Sequence, residues 1–155
     1  MSISPTDLEV LEALFISTIN GITPTHSFAP GDGWKHHRGE VGVDGLKGAS
    51  SRTYFIEWGQ EIEVPPEEGP YTPAGYPLSA KMRIVAKYDM PDDQVLKVVN
   101  FDHRQIRDVL EDLIPASDPG LLWVNGDGWE EDEDVSGHAS IFIHSYDVAY
   151  FKARS

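Results

Sequence analysis

Hydrophobic residues recur every three or four positions near the start of the chain, at Leu8, Leu11, Leu14, Phe15 and Ile19. This spacing gathers the apolar side chains into one stripe and predicts an amphipathic helix over residues 5–20.

Residues that commonly flank helices stand at both ends of this stretch. Ser4 is the predicted N-cap, with Pro5 at the first helical position and Asp7 three residues after the cap. Gly21 stands where a left-handed residue would end the helix.

Residues 23–51 show no sustained hydrophobic periodicity and are rich in Gly, Ser and Pro. We expect a long loop or arm here, with a short strand at Glu40 to Val43. Loops of this length in a compact domain are usually functional or ordered by a partner. The hypothesis for this loop is ordering by a neighbouring subunit.

Two strands are predicted next, at 52–59 and 79–89, joined by a proline-rich loop at 60–78 as a long-tipped antiparallel hairpin. The second strand alternates cleanly between two faces. One face carries Ala80, Met82, Ile84, Ala86 and Tyr88, and the other, expected to face water, carries Lys81, Arg83, Val85 and Lys87.

A second helix is indicated by the apolar residues Ile106, Val109, Leu110 and Leu113, and it should end before Pro115. Residues 92–99 form either an earlier helical turn or part of the same helix.

The remaining chain predicts a second strand pair, GLLWVNGDGWEEDED and SGHASIFIHSYDVAYFK, around an acidic hairpin tip at 125–136. The alternation of apolar residues changes from one face to the other near residues 145–148, which predicts a bulge in the last strand.

The order helix, strand pair, helix, strand pair predicts an α+β fold, a mainly antiparallel sheet with two helices packed on it and long loops. At 155 residues the chain, 1–155, is expected to form a single domain.

The net charge of −14 is laid out unevenly. Between Arg107 and Lys152 there is no Lys or Arg, while five consecutive acids occupy 130–134. Such a surface repels phosphate backbones, which argues against nucleic-acid recognition through a basic patch. The absence of cysteine excludes disulfides, thiolate zinc sites and a cysteine nucleophile.

No run of about 18 apolar residues and no signal-like N-terminus occurs, so we expect a cytosolic product that does not enter the membrane.

The spacing of the possible ligand residues does not fit a metal site. An EF-hand beginning at Asn125 would place Trp129 and Glu130 where an oxygen ligand and a glycine are needed. His138 and His144 lie roughly 20 Å apart on one strand, too far to share a metal. His36 and His37 are interpreted as a solvated loop pair, and no metal or cofactor is expected.

No Walker loop, G-x-S-x-G, G-x-G-x-x-G or H-E-x-x-H motif occurs, so we expect that the protein is not an enzyme. Trp129, between a glycine and the acidic run, is either an intersubunit contact or an exposed ring.

Five stretches follow the N-terminal helix in a characteristic order: SRTYFIEWGQEIEV, LSAKMRIVAKYDM, NFDHRQIRDVLEDLI, GLLWVNGDG and HASIFIHSYDVAYFK. In this order and in strand character, most of the chain resembles the tail terminator (tail completion, or head-tail joining) proteins of long-tailed bacteriophages. The loops at 23–51 and 60–78 depart from that pattern and leave a neighbouring neck or tube component open.

The resemblance implies a virion protein, assembled in the host cytoplasm, that forms a hexameric ring. The ring would cap the tail tube, contact the tail tube protein and a head-side connector or neck protein, and perform no chemistry. Because DNA would pass through it without specific binding, we hypothesise an acidic lumen formed by Glu130, Glu131, Asp132, Glu133, Asp134, Glu61, Glu63, Glu67 and Glu68. Candidate subunit-interface residues are Lys81, Arg83, Lys87 and Trp129; for the basic residues an ordinary solubilising face is the alternative.

The main alternative is an acidic DNA mimic of the anti-restriction or anti-CRISPR type, whose carboxylates stand in for phosphates. A mimic should spread its acids over one face, whereas these cluster at one tip and one loop. A small metal-dependent or acid/base enzyme is the third alternative.

Overall fold

A computed structural model describes residues 5–26, 33–37, 43–46, 49–89, 92–114, 120–132 and 140–154. Two helices and a six-stranded mixed sheet form an α+β fold within these ranges. The elements are α1 (Leu8–Asn20), β1 (Lys35–His36), β2 (Thr53–Trp58), β3 (Ile62–Glu63), β4 (Gly75–Tyr88), α2 (Asp92–Glu111), β5 (Leu121–Glu131) and β6 (Ser140–Ala153).

The sheet is built around two long central strands. Its order is β1-β2-β4-β6-β5, with β3 pairing with β4 beside the end of β2. β4 and β6 pair without interruption from Gly75 opposite Ala153 to Tyr88 opposite Ser140. Only the two-residue β1 pairs in parallel among these strands. The predicted α+β class and mainly antiparallel sheet are confirmed.

Both helices pack on the same face of the sheet and form the main core with it. The sheet contributes the even-numbered residues of β4 and β6, as alternation requires. The helices contribute residues at three- and four-residue spacing: Leu11, Phe15 and Ile19 from α1, and Val95, Val98, Val99, Ile106 and Leu110 from α2. Burial of these side chains is the main stabilising contribution to the fold.

The opposite face of the sheet is only partly exposed. A second cluster covers one end of it and contains Leu46, Phe55, Val85, Ile141 and Ile143. The expectation that the whole odd-numbered face of β4 meets water is therefore wrong at Val85, because Leu46 belongs to a turn that packs on it. Lys87 is likewise buried.

Helix α1 begins later than predicted, at Leu8, because Asp7 is its N-cap. Asp7 has extended backbone, and its carboxylate accepts a hydrogen bond from the Val10 N–H at 2.9 Å. Thr6 instead bonds to the last strand through its N–H and the carbonyl of Phe151. Ser4 lies outside the described residues. Gly21 is not left-handed but has φ −83°, so that prediction is wrong.

The loop 23–51 contains regular structure that the sequence pattern did not reveal. Lys35–His36 form β1, and the His36 ring packs edge-on against Tyr54 at 5.4 Å, so His36 is not simply a solvated loop residue. The strand predicted at Glu40 to Val43 is wrong at its described end, since Val43 begins a 3-10 turn that reaches Leu46. Residues 40–42 lie outside the described ranges.

Strand boundaries in the first hairpin also differ from prediction. β4 begins at Gly75 rather than residue 79 because β6 supplies a pairing partner along its full length. The loop 60–78 therefore contains β3, a 3-10 turn at Pro66–Glu68 and the first residues of β4. β2 begins at Thr53, since Arg52 has φ 63°, outside the strand region.

Helix α2 is one continuous element from Asp92 to Glu111, which resolves the two alternatives for residues 92–99. The predicted bulge in the last strand is wrong, because β6 keeps its register with β4 throughout. The irregularities lie in β5, between Leu121 and Trp123 and between Gly126 and Trp129. An edge strand accommodates an extra residue more easily than a strand bonded on both sides.

Candidate functional site: the charged sheet face and its acidic end

The exposed part of the sheet face carries basic residues paired with acids of neighbouring strands. The Nζ of Lys81 lies 2.7 Å from a carboxylate oxygen of Asp127. Arg83 lies between Glu57, at 3.6 Å, and Glu130, at 3.7 Å. The hydrogen bond from Lys81 to Asp127 is the main reason that the pKa of Lys81 is raised. Both basic residues are thus neutralised within their own chain.

The bulge in β5 shapes this surface. Gly128 has φ 82°, a conformation that glycine adopts without strain. An open cavity of about 240 Å³ lies beside it, lined by Lys81, Asp127, Gly128, Trp129, Glu130 and Ser145. The bulge therefore places unlike charges and one indole around a shallow recess.

Trp129 contacts its own chain, an arrangement that neither sequence-based alternative described. Its indole N–H donates a hydrogen bond to the side-chain amide oxygen (Oδ1) of Asn100 at 2.7 Å, and its ring packs edge-on against Phe142 at 5.6 Å. The side chain thereby ties β5 to α2. A subunit contact at Trp129 stays a prediction.

The acidic tip continues the end of β5. Glu130 and Glu131 pair with Ile143 and Phe142, and the Asp132 N–H donates to the carbonyl of Ile141 at 2.8 Å. Glu130 and Glu131 are exposed, and Asp132 is partly exposed. Glu133 and Asp134 lie outside the described residues. The described acids of the tip therefore stand at one end of the sheet.

The glutamates of the proline-rich segment lie elsewhere. Glu63 is in β3, and Glu67 and Glu68 are in the 3-10 turn that follows it; all three are exposed. Glu61 accepts a hydrogen bond from the hydroxyl of Tyr150. Burial first, and then Glu61, raises the pKa of Tyr150.

The two acidic segments occupy opposite ends of the sheet. Glu63 pairs with Leu78, which pairs with Tyr150 of β6, whereas Glu131 pairs with Phe142 of the same strand. The eight-residue separation along β6 corresponds to roughly 26 Å. Both segments can border one channel only if the strands run along its axis.

Lys87 differs from the other two proposed interface cations. The residue is only 7% exposed, and its backbone carbonyl accepts the N–H of Arg52 at 2.6 Å. It therefore does not share the exposed surface of Lys81 and Arg83.

A buried ion pair beneath the sheet was missed by sequence reasoning. The Arg52 and Asp102 side chains are both 0% exposed. Arg52 donates through Nε at 2.8 Å and through Nη2 at 3.1 Å to the two oxygens of Asp102. The Tyr88 hydroxyl donates to the same carboxylate at 2.8 Å. Burial raises the pKa of Asp102, while Arg52 and Tyr88 act in the opposite direction.

Two histidines extend this ion pair into a longer network. The Tyr88 oxygen lies 2.9 Å from His144 Nε2, and His144 Nδ1 lies 3.1 Å from His103 Nδ1. Because Tyr88 uses its proton on Asp102, His144 must donate from Nε2 and accept at Nδ1 from His103. Burial lowers the pKa of His103 to about 4 and that of His144 to about 3, with smaller contributions from Arg107 and His103 respectively.

A sequence signal for two members of this network did exist. His144 continues the even-numbered series of buried residues in β6, and Asp102 lies on the apolar stripe of α2 between Val99 and Ile106. A polar side chain at a position that the helix or strand periodicity assigns to the buried face requires a buried hydrogen-bonding partner. No local pattern points to Arg52.

In comparisons with known proteins, no family model and no curated protein matches the sequence. Within the described ranges, no group of three or more His, Asp or Glu side chains is arranged to hold a metal ion. None of the described helices is long and apolar enough to cross a membrane.

Proposed function

We propose that the protein is a structural subunit of a long-tailed phage particle, forming a hexameric ring that caps the tail tube and joins it to the head. Its role is mechanical rather than catalytic: the ring ends tube growth, offers a surface to the neck and lets DNA pass. Apart from the two-residue strands β1 and β3, the order of helices and strands agrees with the order on which the resemblance rests.

The observation that carries this proposal is the excess of exposed acids over basic residues at the end of β5. Lys81 is paired with Asp127, and Arg83 with Glu57 and Glu130, so both cations are already engaged by acids. Glu131 and Asp132 continue the acidic run beyond these pairs. DNA passing this end would meet repulsion rather than Lys or Arg contacts that must be broken at every step. Glu130, Glu131 and Asp132 therefore border the lumen in this proposal.

The proposal also constrains how the subunit is oriented. If Glu63, Glu67 and Glu68 border the same lumen, the long axis of β6 must lie along the channel, because the two acidic segments are at opposite ends of the sheet. If β6 lies across the channel instead, one segment borders DNA and the other faces the outer rim.

Assembly of such a ring works against its own charge. Each subunit carries a net charge of −14, so neighbouring subunits repel one another. Added salt screens this repulsion, with a Debye length of about 10 Å at 0.1 M and about 3 Å at 1 M. Ring formation on tube ends is therefore expected to strengthen with salt.

The proposal is tested by deleting the gene in its native phage or prophage-like element and examining the particles by electron microscopy. Overlong or headless tails, rescued by the wild-type gene, support termination or joining. Normal infectious particles reject the virion role; binding of the purified protein to host nucleases in a pull-down would then support a DNA-mimic inhibitor.

Rescue of the gene deletion with variant genes separates the role of the ring from the role of its acidic end. A triple variant E130K/E131K/D132K is expected to restore tail length but to slow DNA delivery. A control with the same charge change on α1 and at the end of α2, E9K/E111K/D112K, should restore both. Equal DNA delivery by the two triple variants would remove the acidic tip from the DNA path.

A further inference from the structure

A chain of hydrogen bonds connects the half-buried surface of α2 with the buried ion pair. It runs from His103 through His144 and Tyr88 to Asp102, which is held by Arg52. Each inner member makes its two contacts in only one protonation state and tautomer. A proton added at one end therefore alters hydrogen bonding along the whole chain.

The same network holds two pieces of the loop 23–51. The Arg52 Nη2 donates to the carbonyl of His26 at 2.7 Å, and the Arg52 carbonyl accepts the Lys35 N–H at 3.1 Å. The Trp34 ring lies edge-on to Tyr88 at 6.5 Å and to His144 at 6.3 Å. We call residues 23–26 and 34–37 the docked segment.

Two further contacts attach the docked segment to α2 beside the network. Gln105 Nε2 donates to the carbonyl of Thr23 at 2.9 Å, and the His26 ring packs edge-on against Phe101 at 4.7 Å. Residues 23–26 are therefore held by one turn of α2 and by Arg52. Residues 34–37 instead pair with β2, where the His37 N–H donates to the carbonyl of Tyr54 at 2.7 Å, and they contact Tyr88 and His144 through Trp34. A change in the network reaches both parts of the docked segment through Arg52, Tyr88 and His144.

We infer that the network is an acid-sensitive latch: protonation of His103 and His144 releases the docked segment from α2 and from the edge of β2 while the paired strands β4 and β6 remain folded. The neutral pair shares a single Nδ1 proton. One added proton gives a charged N–H facing a nitrogen acceptor in a buried site, and a second leaves two N–H donors facing each other, which breaks the contact.

The surroundings of the two histidines disfavour the added charge. The titratable and charged groups that face the network come from every element around it: Arg52 before β2, Tyr88 from β4, Tyr146 from β6, His26 from the docked segment, and Asp102, Arg107 and Asp108 from α2. Arg107 further lowers the pKa of His103, and Asp102 is already engaged by Arg52 and Tyr88. No carboxylate in this set contacts either imidazole directly.

Release should be local because the docked segment is held by few backbone hydrogen bonds compared with the central strands, and its main apolar attachment is the single side chain of Trp34, which is buried in the main core. Its only strand, β1, has two residues, whereas β4 and β6 pair over fourteen residues each. Elements with few backbone hydrogen bonds open at lower free energy than a central strand pair. The segment is therefore the first part of the fold that loss of the network would free.

Hydrogen exchange measured by mass spectrometry at pH 7 and at about pH 4.5, corrected for intrinsic exchange rates, tests the latch. Peptides containing 23–26 and 34–37 are expected to lose about tenfold protection or more at the lower pH. Peptides from β4 and β6 should keep theirs. Unchanged protection of the docked segment, or equal loss throughout the sheet, would overturn the inference.

A variant that keeps hydrogen-bonding groups but cannot titrate separates the latch from general acid sensitivity. H103N/H144Q should remove the pH dependence of protection in the docked segment. H37Q is the matched control and should behave like the wild type. Continued acid release in the double variant would contradict the mechanism.

NMR titration of the wild-type protein provides a second test that needs no substitution. The imidazole signals of His103 or His144 should titrate over the same pH interval in which amides of the docked segment lose protection. Titration of both histidines with no change in those amides would overturn the latch. These outcomes do not depend on the proposed virion role.

Discussion

Replacing Asp102 by Asn should destabilise the fold more than any other single removal of charge that we consider. Asp102 accepts three hydrogen bonds, two from Arg52 at 2.8 and 3.1 Å and one from Tyr88 at 2.8 Å. The amide of Asn keeps one oxygen acceptor but turns an N–H donor towards the remaining donors. Arg52 is left charged, 0% exposed and without its carboxylate.

The expected loss is about 3–5 kcal/mol of the free energy of unfolding, the usual effect of removing one partner of a buried ion pair. With a urea dependence of about 1–3 kcal/mol per molar, this corresponds to a fall of about 2 M in the midpoint. Urea unfolding at pH 7, followed by far-UV circular dichroism, measures it directly.

Two comparison variants sharpen the test. D108N makes the same substitution at an acid of the same helix whose side chain is 63% exposed, and it should change stability by less than about 0.5 kcal/mol. R52M/D102L removes both charges and should be less destabilised than D102N, since no unpaired charge remains. A loss below about 1 kcal/mol for D102N would refute the assignment of a buried, ionised pair.

Three further predictions concern the same fold. Burial lowers the pKa of His103 to about 4 and that of His144 to about 3, so below about pH 6.5 the unfolded state binds more protons than the folded state. The free energy of unfolding should therefore fall as the pH drops from 6.5 towards 3. Equal urea midpoints at pH 7 and pH 5 would contradict this. Gly75→Ala should lower the melting temperature, because the added Cβ would overlap the backbone oxygen of Lys152, whereas Gly33→Ala, with nothing within 4 Å of the added Cβ, should not. Trp129→Phe removes a 2.7 Å hydrogen bond and should cost about 1 kcal/mol in urea unfolding; an unchanged midpoint would show that the bond contributes nothing.

Much of the fold could be predicted because the strongest patterns are local. The stripe at Leu11, Phe15 and Ile19 and the alternation in β4 each reflect a single element packing on one core. Boundaries were less accurate because they depend on distant partners. β4 extends to Gly75 because β6 pairs with it along its full length. The bulge predicted for β6 lies in β5 instead, because β6 is paired on both sides whereas β5 is an edge strand.

The features of the candidate site also differ in how far they could be predicted from the sequence. The acidic run at 130–134 and the basic residues of β4 are visible in the sequence, but the pairing of Lys81 with Asp127 depends on the bulge in β5. The buried network is still less accessible to sequence reasoning. Arg52 adopts φ 63° and bonds to groups 26 and 50 residues away. Only tertiary structure brings these partners together.

The most direct measurement of the proposed function is an electron cryomicroscopy reconstruction of the head-tail junction of the parent particle. We predict six copies in a ring at the end of the tail tube, with Glu130 and Glu131 bordering the channel. Absence of the protein from the particle, or a ring that carries both acidic segments on its outer rim, would contradict the account.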